Sequence, residues 1–374
     1  MDPGAHERAG AQRHGLGLRQ GSLPRLALLM LALAALAAGV SGGLVRLGAP
    51  LSVSTSAGSH GALMIAGFLG TVISLERAVA LGGALALGAP LASGLGTVAL
   101  LAGLPSEAAV LWLLAPMLLF AVSVAIVRRQ AQTHTVLLAV AAVAWGVGNA
   151  LNASGRTAAA LPWWFTFLVL TIAAERLEMT RLVKRPPRIR ALFHGAIAIV
   201  VAGAALSLFA PAAGGVLFGA GLLALAAWLA AFDIARYTVT TRDFARYAAV
   251  ALLGGYAWLA VAGLAWIAMA SGAPQARDAA MHALGLGFVF SMILGHAPLI
   301  VPVIARARMR YVPFFYVPLA LLHASLFVRL LPGLGDATLR LAGGVLNAAA
   351  IATFALTVAW SLRGARRDAP DASD

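Results

Sequence analysis

Five of the eight histidines, His60, His194, His282, His296 and His323, fall inside long apolar runs, and they are the richest source of chemistry in the chain. An imidazole is costly to keep in hydrocarbon. One retained there serves as a metal or cofactor ligand, a proton carrier or a hydrogen-bonding group between helices. The chain has no cysteine, which excludes disulfides, thiolate metal sites, iron–sulfur clusters and CxxCH haem attachment, so any metal must sit on His, Met or oxygen. The remaining histidines are peripheral, His6 and His14 in a polar leading tail and His134 at a helix start.

Depth sorts the five. His60 and His282 each stand near the start of a span that runs from the outer side inward, and His323 lies 13 residues beyond Arg310 on an outward-running span. At 1.5 Å per residue that is about 20 Å, so all three share the outer half of the membrane. His282 and His296 are 14 residues apart, which on a regular α-helix means about 40° around the axis and about 21 Å along it. One ligand cannot touch both, so His296 would serve a second metal or a structural role. Met64, four residues after His60, offers a soft thioether on the same face. Gly67 and Gly285, near these histidines, would let a flat ring approach the helix, although glycine is also a common helix–helix contact in membranes.

Carboxylates are scarce inside the spans. Glu76, Glu175 and Asp233 stand at helix ends beside Arg77, Arg176 and Arg236, where they read as interfacial ion pairs. The absence of a mid-span Asp or Glu counts against a carrier coupled to ions through a buried carboxylate. Neither a Ser/His/Asp set nor an HExxH helix is present to suggest a cofactor-free enzyme.

The elements that position these residues are plain in the composition. Hydrophobic residues make up 61% of the chain and charged residues 11%, with a mean hydropathy of +0.91, far outside the range of soluble domains. Apolar runs begin near residue 24 and recur near 58–76, 82–104, 106–127, 134–152, 158–174, 191–210, 213–232, 245–270, 279–304, 312–331 and 338–361. They predict an all-α, polytopic bundle of about twelve transmembrane spans. It forms a single membrane domain over 24–362, with basic cytoplasmic tails at 1–23 and 363–374 and connections at 177–189 and 271–278.

The net charge of +14 resembles that of a nucleic-acid binder. Sorting it by topology removes that partner. With both termini cytoplasmic, 22 of the 27 basic residues lie on that side, and only Arg46, Arg156, Arg277, Arg329 and Arg340 on the other. This is the positive-inside asymmetry of a multi-pass protein of the bacterial inner membrane, whose partner is the lipid bilayer.

The second span reads HGALMIAGF from His60 to Phe68 and the tenth HALGLGFVFSM from His282 to Met292. These segments resemble the H-x-x-x-M-x-x-G-F and H-A-L-x-x-G-x-x-x-x-M patterns of the NnrS family of twelve-span membrane proteins. That resemblance implies a haem- and copper-containing protein, distantly similar to the catalytic subunits of haem–copper oxidases and nitric oxide reductases, with a role in nitric oxide metabolism. It also implies a low-spin haem b held between histidines of the second and tenth spans, the positions of His60 and His282. The SLERAVAL and LGHAP segments depart from the family pattern, and the His-His pair and His-x-x-x-Tyr of an oxidase copper site are missing.

The leading expectation is therefore a haem-binding membrane protein acting in nitric oxide handling or electron transfer with a membrane redox partner. His323 is the reserve ligand and Arg329 the cation for the haem propionates. His60, His282, His296 and Met64 are the metal donors should copper also bind. The alternative is a permease for a small neutral solute, with the histidines lining its cavity. The chain alone does not specify an oligomeric state.

Overall fold

The computed structural model describes residues 23–51, 57–181, 183 and 185–367. The tails that hold His6 and His14, and also Lys184, lie outside the described residues. Among the described residues there is no strand, and twelve helices are long and apolar enough to cross a membrane. They are α1 (Leu23–Arg46), α2 (His60–Leu81), α3 (Ala84–Leu101), α4 (Pro105–Arg129), α5 (Thr133–Ala153) and α6 (Thr157–Met179). The second six are α7 (Pro187–Leu206), α8 (Pro211–Phe232), α9 (Asp243–Ala270), α10 (Pro274–Ala305), α11 (Pro313–Leu330) and α12 (Ala337–Arg363). All twelve expected spans are present, because hydrocarbon admits only backbone that satisfies its own hydrogen bonds. The protein is a multi-pass integral membrane bundle.

One boundary differs. The expected connection at 271–278 is shorter, since helical structure resumes at Pro274 and takes in Arg277 and Asp278. Both charges belong to the first turns of α10, and the hydropathy minimum around them hid that.

Successive helices pack as antiparallel neighbours, and α12 returns against α1. The most buried spans are α2, α6 and α10, one in every four. They form the centre of the bundle. At its arginine-rich end ion pairs run between helices as well as along them. Arg77 of α2 lies 2.5 Å from Glu76 and 3.5 Å from Glu175 of α6, and Arg176 of α6 grips Asp233 beyond α8 at 3.0 and 3.1 Å. The pairing expected between Glu175 and Arg176, and between Asp233 and Arg236, does not form. The expected Glu76–Arg77 pair does form, whereas Arg176 turns away from Glu175 and takes up Asp233 across the helix interface. Arg236 instead donates to Ala231 O and lies over Tyr237.

Both histidine-bearing central helices leave α-geometry just after the histidine. A π-helical segment covers Leu63–Leu69 in α2, and another covers Ala283–Phe290 in α10. Such segments are rare and concentrate at functional sites.

Candidate cofactor site

His60 and His282 face each other. Their ring centroids are 6.1 Å apart and their planes differ by 25°. A metal-bound imidazole nitrogen sits about 2.0 Å from the metal, which places the ring centroid about 3.1 Å away, so two axial imidazoles have centroids about 6.2 Å apart. The observed pair has the spacing of two ligands on opposite sides of one metal.

The second ring nitrogen of each histidine is engaged as ligation requires. His60 Nδ1 lies 2.6 Å from Gly39 O of α1, which fixes Nδ1 as the donor and leaves the Nε2 lone pair for a ligand. A Cβ at Gly43 would lie 2.9 Å from the His60 ring, so α1 seats the ring on bare backbone. His282 Nδ1 lies 3.0 Å from both the carbonyl and the carboxylate Oδ1 of Asp278, one turn earlier on α10. The sequence alone does not single out Asp278, because the hydropathy minimum places it in the 271–278 connection.

Arg329 of α11 completes this group. Its Nε and Nη2 donate to the two Asp278 carboxylate oxygens at 2.9 and 2.8 Å. Arg329, expected as the cation for haem propionates, has Nε and Nη2 taken up by Asp278 instead. Nη2 is also 3.3 and 3.2 Å from the two His282 ring nitrogens. An in-line bond to one nitrogen would leave the other about 5 Å away. The guanidinium therefore lies against the imidazole without capping Nε2 along its lone pair.

Both histidines border a cavity of about 690 Å³, within the size range of cofactor sites. Its deep wall is apolar and aromatic, with Trp164 and Phe165 of α6 and Phe290 of α10. Trp164 is held from behind by Asn149, which accepts from its Nε1 at 2.8 Å and donates to Trp112 O. Four of the five arginines of the arginine-poor end, Arg46, Arg277, Arg329 and Arg340, line the mouth. The only carboxylate lining it among the described residues is Asp278.

Residues 25–363 match the family model described as Domain of unknown function (DUF8744). The chain belongs to that family. A search of curated proteins finds no match to it.

In this DUF8744 chain the other candidates separate from the His60–His282 pair. Met64 lines the cavity, with its sulfur packed toward Gly39. Gly285 also lines it, and a Cβ there would touch only Phe165 at 3.9 Å, so this glycine leaves room beside His282. Gly67 instead sits against Thr97 and Ala35, a helix contact. His323 does not border the cavity. Its Nδ1 accepts the indole proton of Trp258 at 2.8 Å. Indole is a donor only, so the neutral ring carries its own proton on Nε2, and neither nitrogen has a free lone pair.

His296 is turned toward α6. Its Nδ1 donates to Met292 O at 2.7 Å, and its Nε2 accepts from Arg176 Nη1 at 3.0 Å. The shared face expected for His282 and His296 rested on regular α-geometry. The intervening π-helical segment delays the rotation and alters that phase. His194 is exposed on α7, away from the cavity.

Two imidazoles are the donors that a haem needs, since the macrocycle supplies the four equatorial nitrogens. The residues present therefore fit haem: paired axial nitrogens, a cavity of suitable size and cations for propionates at its mouth. Among the described residues no group of three or more His, Cys, Asp or Glu could hold a metal.

Proposed function

We propose that this chain is a haem-binding protein of the bacterial inner membrane, with both termini cytoplasmic, that works in membrane electron transfer or nitric oxide handling as its resemblance to the NnrS family implies. The observation that carries the reading is the opposed pair His60 and His282, with centroids 6.1 Å apart. Bound haem b would supply reversible one-electron chemistry at its iron. The protein's part is to hold and orient. Gly39 O and Asp278 engage Nδ1 of His60 and His282 so that each Nε2 could hold the haem iron, the aromatic wall would exclude water, and Arg46, Arg277 and Arg340 would offer cations to propionates. A site with four arginines and one carboxylate at its mouth is poorly matched to a neutral solute, which weighs against a permease for one.

The test is the absorbance spectrum of protein purified from haem-replete cells. A sharp reduced-minus-oxidised difference typical of low-spin haem b is expected. It should be lost in His60→Ala and His282→Ala and kept in His323→Ala and His296→Ala. A colourless wild-type protein, or full low-spin haem in both of the first two variants, would overturn the reading.

A further inference from the structure

A second cleft, of about 180 Å³, lies at the arginine-rich end between the ends of α5, α6, α7 and α8. Arg181, Arg185 and Arg190 converge on it together with His134, His194 and Thr180, and none of its lining residues is a carboxylate. This sets it apart from the two buried arginines of that end. Arg77 and Arg176, both buried, have carboxylate partners within hydrogen-bonding distance, as expected for cations withdrawn from water. Among the described residues the cleft arginines have none.

Arg185 is the best-held of the three. Its Nη2 donates to Thr180 Oγ1 at 3.0 Å and to Phe232 O at 3.1 Å, and its guanidinium lies 5.1 Å from the Trp228 ring centroid. Its Nε is buried without a hydrogen-bond partner. Burial draws its pKa below the ordinary arginine value, Asp233 offsets part of this and Arg176 lowers it again, so the cation is only partly compensated. The indole of Trp228 is fixed in turn by a 2.8 Å bond to Ile189 O. One wall of the cleft is thus rigid.

We propose that this cleft binds a phosphate group. Guanidinium forks match phosphate oxygens bidentately, and the two imidazoles add donors of the right kind, while Thr180, whose hydroxyl donates to Arg176 O at 2.8 Å, serves to hold Arg185. Basic pockets between helices at the charged end of a membrane protein are where anionic lipid headgroups bind. His194 is exposed on α7 within its membrane span, so the cleft wall continues onto the lipid-facing surface. The same chemistry would accept free phosphate. The proposal is independent of the haem reading, because it shares no residue with the central cavity.

Equilibrium binding to the detergent-purified full chain tests it, with radiolabelled dihexanoyl phosphatidylglycerol as probe. Saturable binding is expected, weakened at least tenfold in Arg185→Gln/Arg190→Gln. Arg190→Gln alone, at an exposed position, should weaken it measurably and covers the case in which the double variant does not insert. Inorganic phosphate is the competitor. Displacement at similar concentration identifies the phosphate group alone as the ligand, and resistance to displacement identifies the lipid; both support the site. Absence of saturable binding by either probe, or binding unchanged in Arg190→Gln and in a folded double variant, would overturn it.

Discussion

Asp278 Oδ1 and His282 Nδ1 are 3.0 Å apart, and the same oxygen receives Arg329 Nη2 at 2.8 Å. One carboxylate is thus shared between an imidazole and a guanidinium, whereas His60 leans only on the neutral carbonyl of Gly39. The two histidines therefore differ in electron-donating strength. A carboxylate on the far nitrogen makes an imidazole the more basic ligand and favours oxidised iron. With haem bound, Asp278→Asn should raise the midpoint potential while the low-spin spectrum persists. A redox titration of the variant beside wild type checks this, and an unchanged or lowered midpoint would contradict it.

Gly43 is where backbone meets the His60 ring. Gly43→Ala places a Cβ 2.9 Å from Cε1 and 3.0 Å from Nδ1 of the imidazole, closer than real contacts allow, so the ring must turn. Haem content should fall by half or more with insertion unaffected. Gly195→Ala, where a Cβ meets nothing within 4 Å, is the matched control and should leave it unchanged. The pyridine haemochrome assay per mole of protein reads both.

Arg176 and Asp233 are 4% and 1% exposed and bonded at two points. Arg176→Met leaves the carboxylate buried and unpaired, at a cost of about 3–5 kcal/mol. Arg176→Met/Asp233→Leu should recover most of that loss, since removing both charges also removes the desolvation penalty. Denaturant unfolding of the detergent-solubilised variants tests the ordering. A double variant no more stable than the single would contradict it.

Asn149, 4% exposed, joins two helices behind the cavity wall through Trp164 Nε1 and Trp112 O. Asn149→Leu strands a buried indole donor and costs about 1–3 kcal/mol. Because Trp164 lines the cavity, the low-spin absorbance band should broaden as well. Thermal unfolding and the visible spectrum measured on one sample show whether the two effects travel together.

Orientation follows from charge. Reporter fusions at 181–185 should report the cytoplasm, and fusions at 271–273 the outer side. The second window is narrower than hydropathy suggests because α10 begins at Pro274. The opposite result at either place would invert the bundle and move the arginine-lined cavity mouth to the cytoplasmic face.

The twelve spans were legible in the sequence because the bilayer imposes a local rule: each crossing needs a long apolar stretch that closes its own backbone hydrogen bonds. That His60 and His282 stand at a common level followed from residue counts, since each lies near the start of a span that runs the same way. Rotation about the helix axes is a different matter. Sequence spacing gives it only for regular α-helix, and the π-helical segments after His60 and His282 depart from that regularity. Tertiary packing alone therefore decided that His60 meets His282, that His296 turns to Arg176, and that His323 gives its lone pair to Trp258. The partners Gly39 O and Asp278 were hidden for the same reason. One is a backbone atom of a different helix and the other a charge at a helix start, and neither leaves a periodic trace in the sequence.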